Sequence, residues 1–334
     1  MDKYVIGIDG GSSKSHLALF DAEGTLKDFQ CWGPLNYEVM NGSFDQFEQE
    51  LGEFLSKTLQ ANGITQEHIA YSVIGMAGVD TPAQHGIISA IITKLGLCDF
   101  LLCNDAYIGI PAASPTGAGI CAINGSGCSV AAIDTAGRML QIGGRGMLTW
   151  DIGGGGMIGD LVIGTVYKSL FRLGPPTLLT KLLFEKLGIT NKYELMETLF
   201  TMTSKGYKIS VCNRLVFEAA HQSDPVAINI LREIATNYAN TVIYIIREME
   251  FPASEPLHVL LAGSVFVKAE HPIMTKMFQT QLDAAYPERN ITYTVLEKPP
   301  VAGAAVWALK SLKGEGNYID KVCSQLHEGL WEKK

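Results

Sequence analysis

Basic residues and long apolar runs are both scarce in this sequence of 334 residues. Only 18% of the residues are charged, and 26 Lys and Arg stand against 34 Asp and Glu, which gives a formal net charge of −8. That balance argues against a nucleic-acid-binding surface, which needs clustered cations. No run approaches about eighteen uninterrupted apolar residues, so we expect no membrane-spanning helix. The hydrophobic content of 47% is that of a globular chain, and the length suffices for two domains.

Paired cysteines are missing as well. The seven cysteines are an odd number without a C-x-x-C pair. They are scattered through apolar runs, at Cys31, Cys98, Cys103, Cys121, Cys128, Cys212 and Cys323. We therefore expect reduced, mostly buried thiols and a cytoplasmic protein. The N-terminal stretch shows no basic leader followed by an apolar core, so we also expect a soluble, unprocessed chain.

The stretch from Tyr4 to Phe20 has the pattern of a β-hairpin with a polar, glycine-containing tip. Apolar residues flank an interval formed by Gly10, Gly11, Ser12, Ser13, Lys14 and Ser15. Successive N–H groups of such a turn can approach an anion closely. Asp9 ends the first strand, and its carboxylate suits a phosphate that arrives with a divalent cation, since hard cations take oxygen ligands. Taken alone, the stretch is also compatible with an ordinary glycine-rich turn.

The predicted elements repeat in the same order along the chain. A meander of three strands over 4–32 precedes helix 44–59, strand 69–76, helix 82–95 and strand 98–103. A second meander over 117–142 precedes a mainly helical insertion at about 154–249, strands 259–262 and 291–295, and helix 301–312. This order predicts two α/β domains, 1–115 and 116–312, with a ligand cleft between them. We expect a last helix over 318–332 to join the first domain.

Polar or glycine-bearing sites follow four of the predicted strands and would face this cleft. They are Asp9 to Lys14, Asn104-Asp105, Gly125 to Gly127, and Gly263 to Val265. Most of these sites are glycine turns, as expected of a backbone cradle that holds a nucleotide from both sides. A polar turn after a strand remains the alternative for Asn104-Asp105.

Together these motifs resemble the sugar kinase–actin–Hsp70 superfamily. They read G-x-D-G-G-x-[ST]-K from Gly7, N-D-A from Asn104, G-S-G-x-S from Gly125 and A-G-S-V from Ala262. The chain looks most like the N-acetylglucosamine kinase branch, which groups with the ATPases that activate benzoyl-CoA reductase and hydroxyacyl-CoA dehydratase. The resemblance covers nearly the whole chain. It implies two ribonuclease H-like (actin-like ATPase) domains and ATP-dependent phosphorylation of an amino sugar, N-acetylglucosamine or a relative such as glucosamine, at O6.

The resemblance also implies roles for the nucleotide-binding residues. The cofactors would be ATP and Mg²⁺, and Asp9 would orient the coordination shell of the Mg²⁺ ion. The residues expected to bind the nucleotide are Gly10, Gly11, Ser12, Ser13 and Lys14 in the first phosphate loop, Gly125, Ser126 and Gly127 in the second, and Gly263, Ser264 and Val265 beside the adenosine.

For the sugar, the resemblance implies Asp105 as the carboxylate that orients the acceptor hydroxyl and accepts its proton, a role that suits a poor nucleophile. Asn36, Asn104 and Asp151 would bind the sugar with it, since amides and carboxylates can bind neighbouring hydroxyls. The chain departs from the animal enzymes at Arg145, where they have tryptophan. The sequence favours a solvated loop charge at this position over a ligand contact.

Two other classes compete with the kinase interpretation. A redox-activator ATPase would hold an iron–sulfur cluster between two subunits, with two cysteines from each; Cys121 and Cys128 are the nearest candidates. A nucleotide-dependent switch protein would need a large protein-binding domain or a filament surface, and the sequence shows no sign of either.

The acceptor sugar stays open among N-acetylglucosamine, glucosamine, an N-acetylmuramic acid derivative and other hexoses. A homodimer is the family's expectation, with a small-molecule sugar and no nucleic acid or membrane as partner.

Overall fold

The structure, a computed structural model, describes residues 3–40, 43–206 and 209–326. Its first sheet contains β1 Tyr4–Gly10, β2 Ser15–Asp21, β3 Leu26–Trp32, β4 Ile69–Met76 and β5 Phe100–Cys103. The strand order is β3-β2-β1-β4-β5. The meander pairs are antiparallel, whereas β1 with β4 and β4 with β5 are parallel. The carboxyl ends of β1, β4 and β5 therefore meet at one edge of the sheet.

The second sheet repeats this topology. It contains β6 Gly119–Asn124, β7 Cys128–Ile133, β8 Met139–Gly143, β9 Leu257–Ala262 and β10 Ile291–Val295. The order β10-β9-β6-β7-β8 matches that of the first sheet, read from the opposite edge. The pairs β6 with β9 and β9 with β10 are parallel. The two halves predicted from the element order are thus two α/β domains of one topology, and the fold class is confirmed.

Helices cover the faces of both sheets. They are α1 Phe44–Ala61, α2 Pro82–Lys94, α3 Asp105–Ile108, α4 Gly155–Phe171, α5 Leu178–Leu187, α6 Leu195–Ser204, α7 Arg214–His221, α8 Pro225–Glu248, α9 Ser264–Val267, α10 Ile273–Ala285, α11 Val301–Lys313 and α12 Tyr318–Gln325. The first of them begins as the sequence predicts, because Ser43 Oγ accepts a hydrogen bond from the Gln46 N–H. None of the helices in the described ranges is long and apolar enough to cross a membrane.

Helix α11 links the two halves of the molecule. The sequence prediction placed residues 301–312 in the second domain, whereas α11 packs on β1, β2 and β4 of the first sheet. Its small residues allow a close approach: a Cβ at Gly303 would lie 1.8 Å from the Ile108 carbonyl oxygen, and a Cβ at Gly7 would lie 2.7 Å from the Ala305 nitrogen. This crossing depends on contacts between residues that are remote in the sequence. The predicted domain boundaries, 1–115 and 116–312, remain a prediction.

The last helix is shorter than expected. Helix α12 ends at Gln325, where the predicted helix continued to 332, and residues 327–332 lie outside the described residues. Gln325 accepts a hydrogen bond from the Leu26 N–H and donates one to the Gly24 carbonyl, both at 2.8 Å. These bonds hold the helix against the β2–β3 turn of the first domain.

Candidate active site

A cavity of about 510 Å³ lies where the carboxyl ends of the central strands of both sheets face each other. Residues from the four predicted strand-end sites line it: Asp9, Gly11, Ser12, Ser13, Lys14, Asn104, Asp105, Gly125, Ser126, Gly127, Gly263 and Ser264. The tertiary structure therefore brings together segments that are more than 250 residues apart in the chain. Other predicted residues lie behind it or beside it.

The first glycine turn is tightly packed. A Cβ at Gly10 would lie 2.0 Å from Met76 Sδ, so Gly10 lies behind the cavity wall and allows β1 to pass close to β4. A Cβ at Gly11 would lie 2.7 Å from the Lys14 carbonyl oxygen. Small residues are thus required at both positions by the neighbouring atoms, and the loop from Ser12 to Lys14 is left facing the cavity.

The second and third glycine turns pack on each other. Gly263 has φ +90°, and a Cβ there would lie 2.4 Å from the Asn124 carbonyl oxygen. The Gly125 carbonyl accepts a 2.8 Å hydrogen bond from Gly155, in the first turn of α4. A Cβ at Gly127 would meet open space, so this turn can admit an anion between the N-terminal end of α4 and the cavity. Val265 lines a neighbouring cavity of about 340 Å³ that shares Ser264 and Lys268 with the first.

Asp105 lies on the cavity floor near two other carboxylates. Burial is the main reason why its pKa is raised to about 7, and the charges of Asp9 and Asp80 contribute to the same shift. A carboxyl group with a pKa near neutrality can exchange a proton with a substrate hydroxyl at physiological pH. The neighbouring Asn104 uses its Oδ1 to cap α3, through the Ala106 N–H at 2.9 Å.

Asp80 is a residue of this site that the sequence analysis did not select. Its Oδ1 accepts hydrogen bonds from Asn104 Nδ2 at 2.9 Å and from Gln141 Nε2 at 3.0 Å. Its position in the sequence could have indicated it, since Asp80 follows shortly after β4. That strand lies between β1, which contains Asp9, and β5, which Asn104 follows. Gln141 lies on β8 in the second domain, so this contact joins the two domains across the cleft.

Asn36 connects the predicted acceptor loop to the first phosphate loop. Its side chain is 5% exposed, and Nδ2 donates a 2.9 Å hydrogen bond to Ser12 Oγ. Its Oδ1 accepts a 2.9 Å hydrogen bond from the Glu38 N–H. Asn36 lines the cavity, and its contacts fix the loop that carries Glu38 at the cavity rim.

Asp151 lies under a loop rather than on the cavity wall. Its Oδ2 accepts hydrogen bonds from the backbone of Gly144 at 2.9 Å and of Arg145 at 3.0 Å, and from the Thr149 hydroxyl. Its side chain is 8% exposed. The structure thus places Asp151 as the anchor of the loop 143–151, and its predicted contact with the sugar remains a prediction.

Arg145 forms an ion pair, whereas the sequence favoured a solvated loop charge at this position. Its Nη1 donates a 2.7 Å hydrogen bond to Glu38 Oε1 across the cleft. The hydrogen bond to Glu38, and next the charge of Glu38, raise the pKa of Arg145. A second contact between the domains therefore lies at the rim, on the same side as Gln141 and Asp80.

The cysteines considered for a redox cluster are buried or partly buried in this fold. Burial raises the pKa of Cys121 to about 12 and that of Cys128 to about 11. Cys128 Sγ donates to the Asp151 carbonyl oxygen at 3.2 Å. A cluster held between two subunits needs cysteines at the surface, whereas Cys121 is fully buried, so these positions do not favour the activator alternative.

Comparison with known proteins decides the family. The sequence model of the BadF/BadG/BcrA/BcrD ATPase family matches residues 6–308. The chain belongs to this ATPase family. Two relatives have curated activities, and their names place the chain among phosphotransferases that use an alcohol group as acceptor.

One relative is the N-acetylmuramic acid/N-acetylglucosamine kinase of Clostridium acetobutylicum, which is 30% identical over 236 residues, or 70% of this chain and 76% of the relative. Another is the N-acetyl-D-glucosamine kinase of Dictyostelium discoideum, 24% identical over 92% of this chain and 98% of the relative. Among solved structures, a Chromobacterium violaceum protein to which N-acetylglucosamine kinase activity is attributed superposes with a TM-score of 0.67 at 18% identity, over 92% of this chain and 99% of that one. The last comparison shows a shared fold.

Proposed function

We propose that this protein is an ATP- and magnesium-dependent kinase that phosphorylates an amino sugar, most simply N-acetylglucosamine, at O6. The observation that carries the proposal is the position of Asp105. It is a carboxylate with a pKa of about 7, on the floor of a cleft whose walls are glycine turns from both domains. Two relatives named as N-acetylglucosamine kinases support the choice of substrate. Glucosamine and N-acetylmuramic acid are the close alternatives.

The two adjoining cavities fit the parts of a nucleotide. The phosphates would lie between the first turn, Gly11 to Lys14, and the second, Gly125 to Gly127, where backbone N–H groups and the Lys14 ammonium can hold them. The adenosine would extend past Gly263 and Ser264 into the cavity that Val265 lines. This arrangement directs the terminal phosphate toward Asp105.

The carboxylates of the cleft fit a divalent cation that binds with the nucleotide. Burial and the nearby negative charges of Asp9 and Asp80 raise the pKa of Asp105, so carboxylate charge is concentrated at this point of the cleft. The described residues include no group of three His, Cys, Asp or Glu side chains that would hold a metal without help. Mg²⁺ with ATP needs one or two carboxylates, since phosphate oxygens and waters complete its shell. Asp9 is the residue that would hold it, and the ion would neutralise phosphate charge.

In the proposed reaction, Asp105 orients the sugar hydroxyl and takes its proton. The sugar oxygen forms a bond with the terminal phosphorus of ATP as the bond from that phosphorus to the leaving oxygen of ADP breaks. Asn104 bonds to Asp80, and Asn36 bonds the acceptor loop to the first phosphate loop. These residues, with Asp105, form the acceptor end of the cleft, which is therefore pre-organised.

A coupled ADP-release assay over N-acetylglucosamine, glucosamine, N-acetylmuramic acid, glucose and other hexoses tests the proposal. We expect sugar-dependent ADP formation that requires Mg²⁺, strongest with a 2-acetamido sugar, and a phosphorus-31 coupling to the C6 protons of the product. ATP consumption that no sugar accelerates would contradict the kinase. Phosphorylation at another hydroxyl would contradict the O6 assignment alone.

A further inference from the structure

We propose that Arg145 is a specificity-determining residue that binds a carboxylate carried by the sugar, so that the cleft accepts an acidic 2-acetamido sugar as well as a neutral one. The inference rests on the proposed kinase function. It assigns to Arg145 a contact with the substrate at the cavity rim and leaves Asp105 as the residue that contacts the reacting hydroxyl.

The backbone of Arg145 is fixed at the rim. Its N–H and that of Gly144 both bond to the buried Asp151 carboxylate, at 3.0 and 2.9 Å. Gly144 itself lines the cavity, and its φ of +106° turns the chain so that the next residue follows at the edge. The loop therefore holds the backbone of Arg145 at one place beside the cavity, from which its side chain extends.

The guanidinium faces the acceptor end. It reaches across the cleft to Glu38, two residues from Asn36, and the charge of Asp80 also contributes to its raised pKa. The other cations of the cavity lining lie on the nucleotide side or bond elsewhere: Lys14 in the first phosphate loop, Lys268 beside the third turn, and Lys298, which donates to the Leu326 carbonyl.

The acceptor end is otherwise acidic. Asp80, Asp105 and Glu38 line this part of the cavity, and each would repel an anionic sugar. A neutral sugar needs no cation at this rim. A carboxylate there becomes tolerable when a guanidinium can take it in a two-point contact, which is the geometry that arginine offers and lysine does not.

The pair with Glu38 leaves Arg145 available to such a ligand. Both side chains are partly exposed, 47% for Arg145 and 34% for Glu38, so solvent screening makes this ion pair weak. Only Nη1 bonds to Glu38, and a guanidinium has five N–H donors. An incoming carboxylate can therefore share the guanidinium or displace Glu38 at little cost.

The test compares three probes: N-acetylglucosamine, N-acetylmuramic acid and the methyl ester of N-acetylmuramic acid, which keeps the bulk of the acid and removes its charge. In Arg145→Gln we expect kcat/KM for N-acetylmuramic acid to fall about tenfold or more, as loss of one charge-assisted contact predicts. The values for N-acetylglucosamine and for the ester should stay within about threefold. In Glu38→Gln, which frees the guanidinium, the acid should be favoured further over the neutral sugar.

Arg138→Gln is the matched control, since Arg138 is also exposed and ion-paired, with Asp134, but lies on the turn before β8, away from the cavity. It should change none of the ratios. Equal losses for all three probes in Arg145→Gln would assign Arg145 to closure of the cleft and overturn the inference. Phosphorylation of N-acetylglucosamine without any of N-acetylmuramic acid by the wild-type protein would overturn it while the kinase stands.

Calorimetry separates failure of the inference from failure of the kinase. If no sugar is phosphorylated, the proposed function fails, and binding still decides the role of Arg145. Weaker binding of N-acetylmuramic acid, with unchanged binding of its ester, in Arg145→Gln supports the inference. Unchanged binding of the acid, or no binding of it by the wild-type protein, overturns it.

Discussion

Gln141 Nε2 donates a 3.0 Å hydrogen bond to Asp80 Oδ1, and this bond joins the second domain to the first across the cleft. Asp80 accepts a second hydrogen bond on the same oxygen, from Asn104 Nδ2. A side chain of the second domain is thereby coupled to the residue that precedes Asp105. The approach of the two domains and the arrangement of the acceptor end are therefore linked.

Gln141→Ala should raise the KM of the sugar about threefold to tenfold, because it removes one hydrogen bond between the domains. The kcat and the KM of ATP should change less. Small-angle scattering should show a smaller radius of gyration when ATP analogue and sugar are both bound, and less of this compaction in the variant. Gln30→Ala is the control, since Gln30 bonds to Asp28 within one domain. An unchanged radius of gyration with saturating ligands would contradict closure.

Asp105→Asn should lower kcat by roughly 10²-fold or more, because it keeps the size of the side chain and removes the proton acceptor. The KM of ATP should change little, since the glycine turns of the cleft carry the nucleotide contacts. Steady-state kinetics with the preferred sugar measure both values. A near-normal kcat in this variant would transfer the search for the base to another carboxylate, with Asp80 first in line by its position and Asp151 next.

The same substitution should change stability in a pH-dependent way. The pKa of Asp105 is raised from 3.8 to about 7, so the folded state binds this proton more tightly than the unfolded state does. Ionisation therefore costs the folded state nothing below about pH 4, and the cost is complete above about pH 7. Asp105→Asn should have a Tm equal to that of the wild type at pH 4 and higher by several degrees at pH 8, measured by calorimetry without ligand. Asp160→Asn, on the exposed side of α4, should show no such divergence.

Asp9→Asn should weaken the use of Mg²⁺ rather than the use of the sugar. We expect the free Mg²⁺ concentration at half-maximal rate to rise about tenfold or more, because an amide replaces the carboxylate nearest the first phosphate loop. Rates measured at fixed ATP over a range of Mg²⁺ provide the readout. If the Mg²⁺ dependence stays at its wild-type value, the metal must be held by other groups.

Gly263→Ala should raise the KM of ATP about tenfold or more and lower the Tm. The new Cβ would lie 2.4 Å from the Asn124 carbonyl at a backbone φ of +90°, so both the third turn and the second phosphate loop must move. Gly164→Ala is a suitable comparison, because a Cβ there meets open space on α4. It should keep full activity and gain about 0.5–1 kcal/mol of stability. Equal kinetics for the two variants would remove the third turn from the nucleotide site.

The sequence by itself determined the repeated order of strands and helices and the glycine turns that end them. These features are local. A β-branched run, a helical spacing of apolar residues and a turn of small residues each restrict the backbone over a few neighbours, whatever lies elsewhere in the chain. For that reason β4 and β10 begin and end at the predicted residues, and the strand-end sites could be selected before any contact was known.

Only the tertiary structure decided which polar groups meet. Asp80 becomes part of the site because β4 lies between β1 and β5. Gln141 contacts Asp80, and Arg145 contacts Glu38, because the second sheet faces the first. The crossing of α11 to the first sheet depends on the fit of Gly303 against Ile108, nearly 200 residues away in the chain. Burial and neighbouring charge, which together bring the pKa of Asp105 to about 7, arise from the same long-range packing. Such contacts have no local pattern in the sequence, because they depend on which elements become neighbours in space.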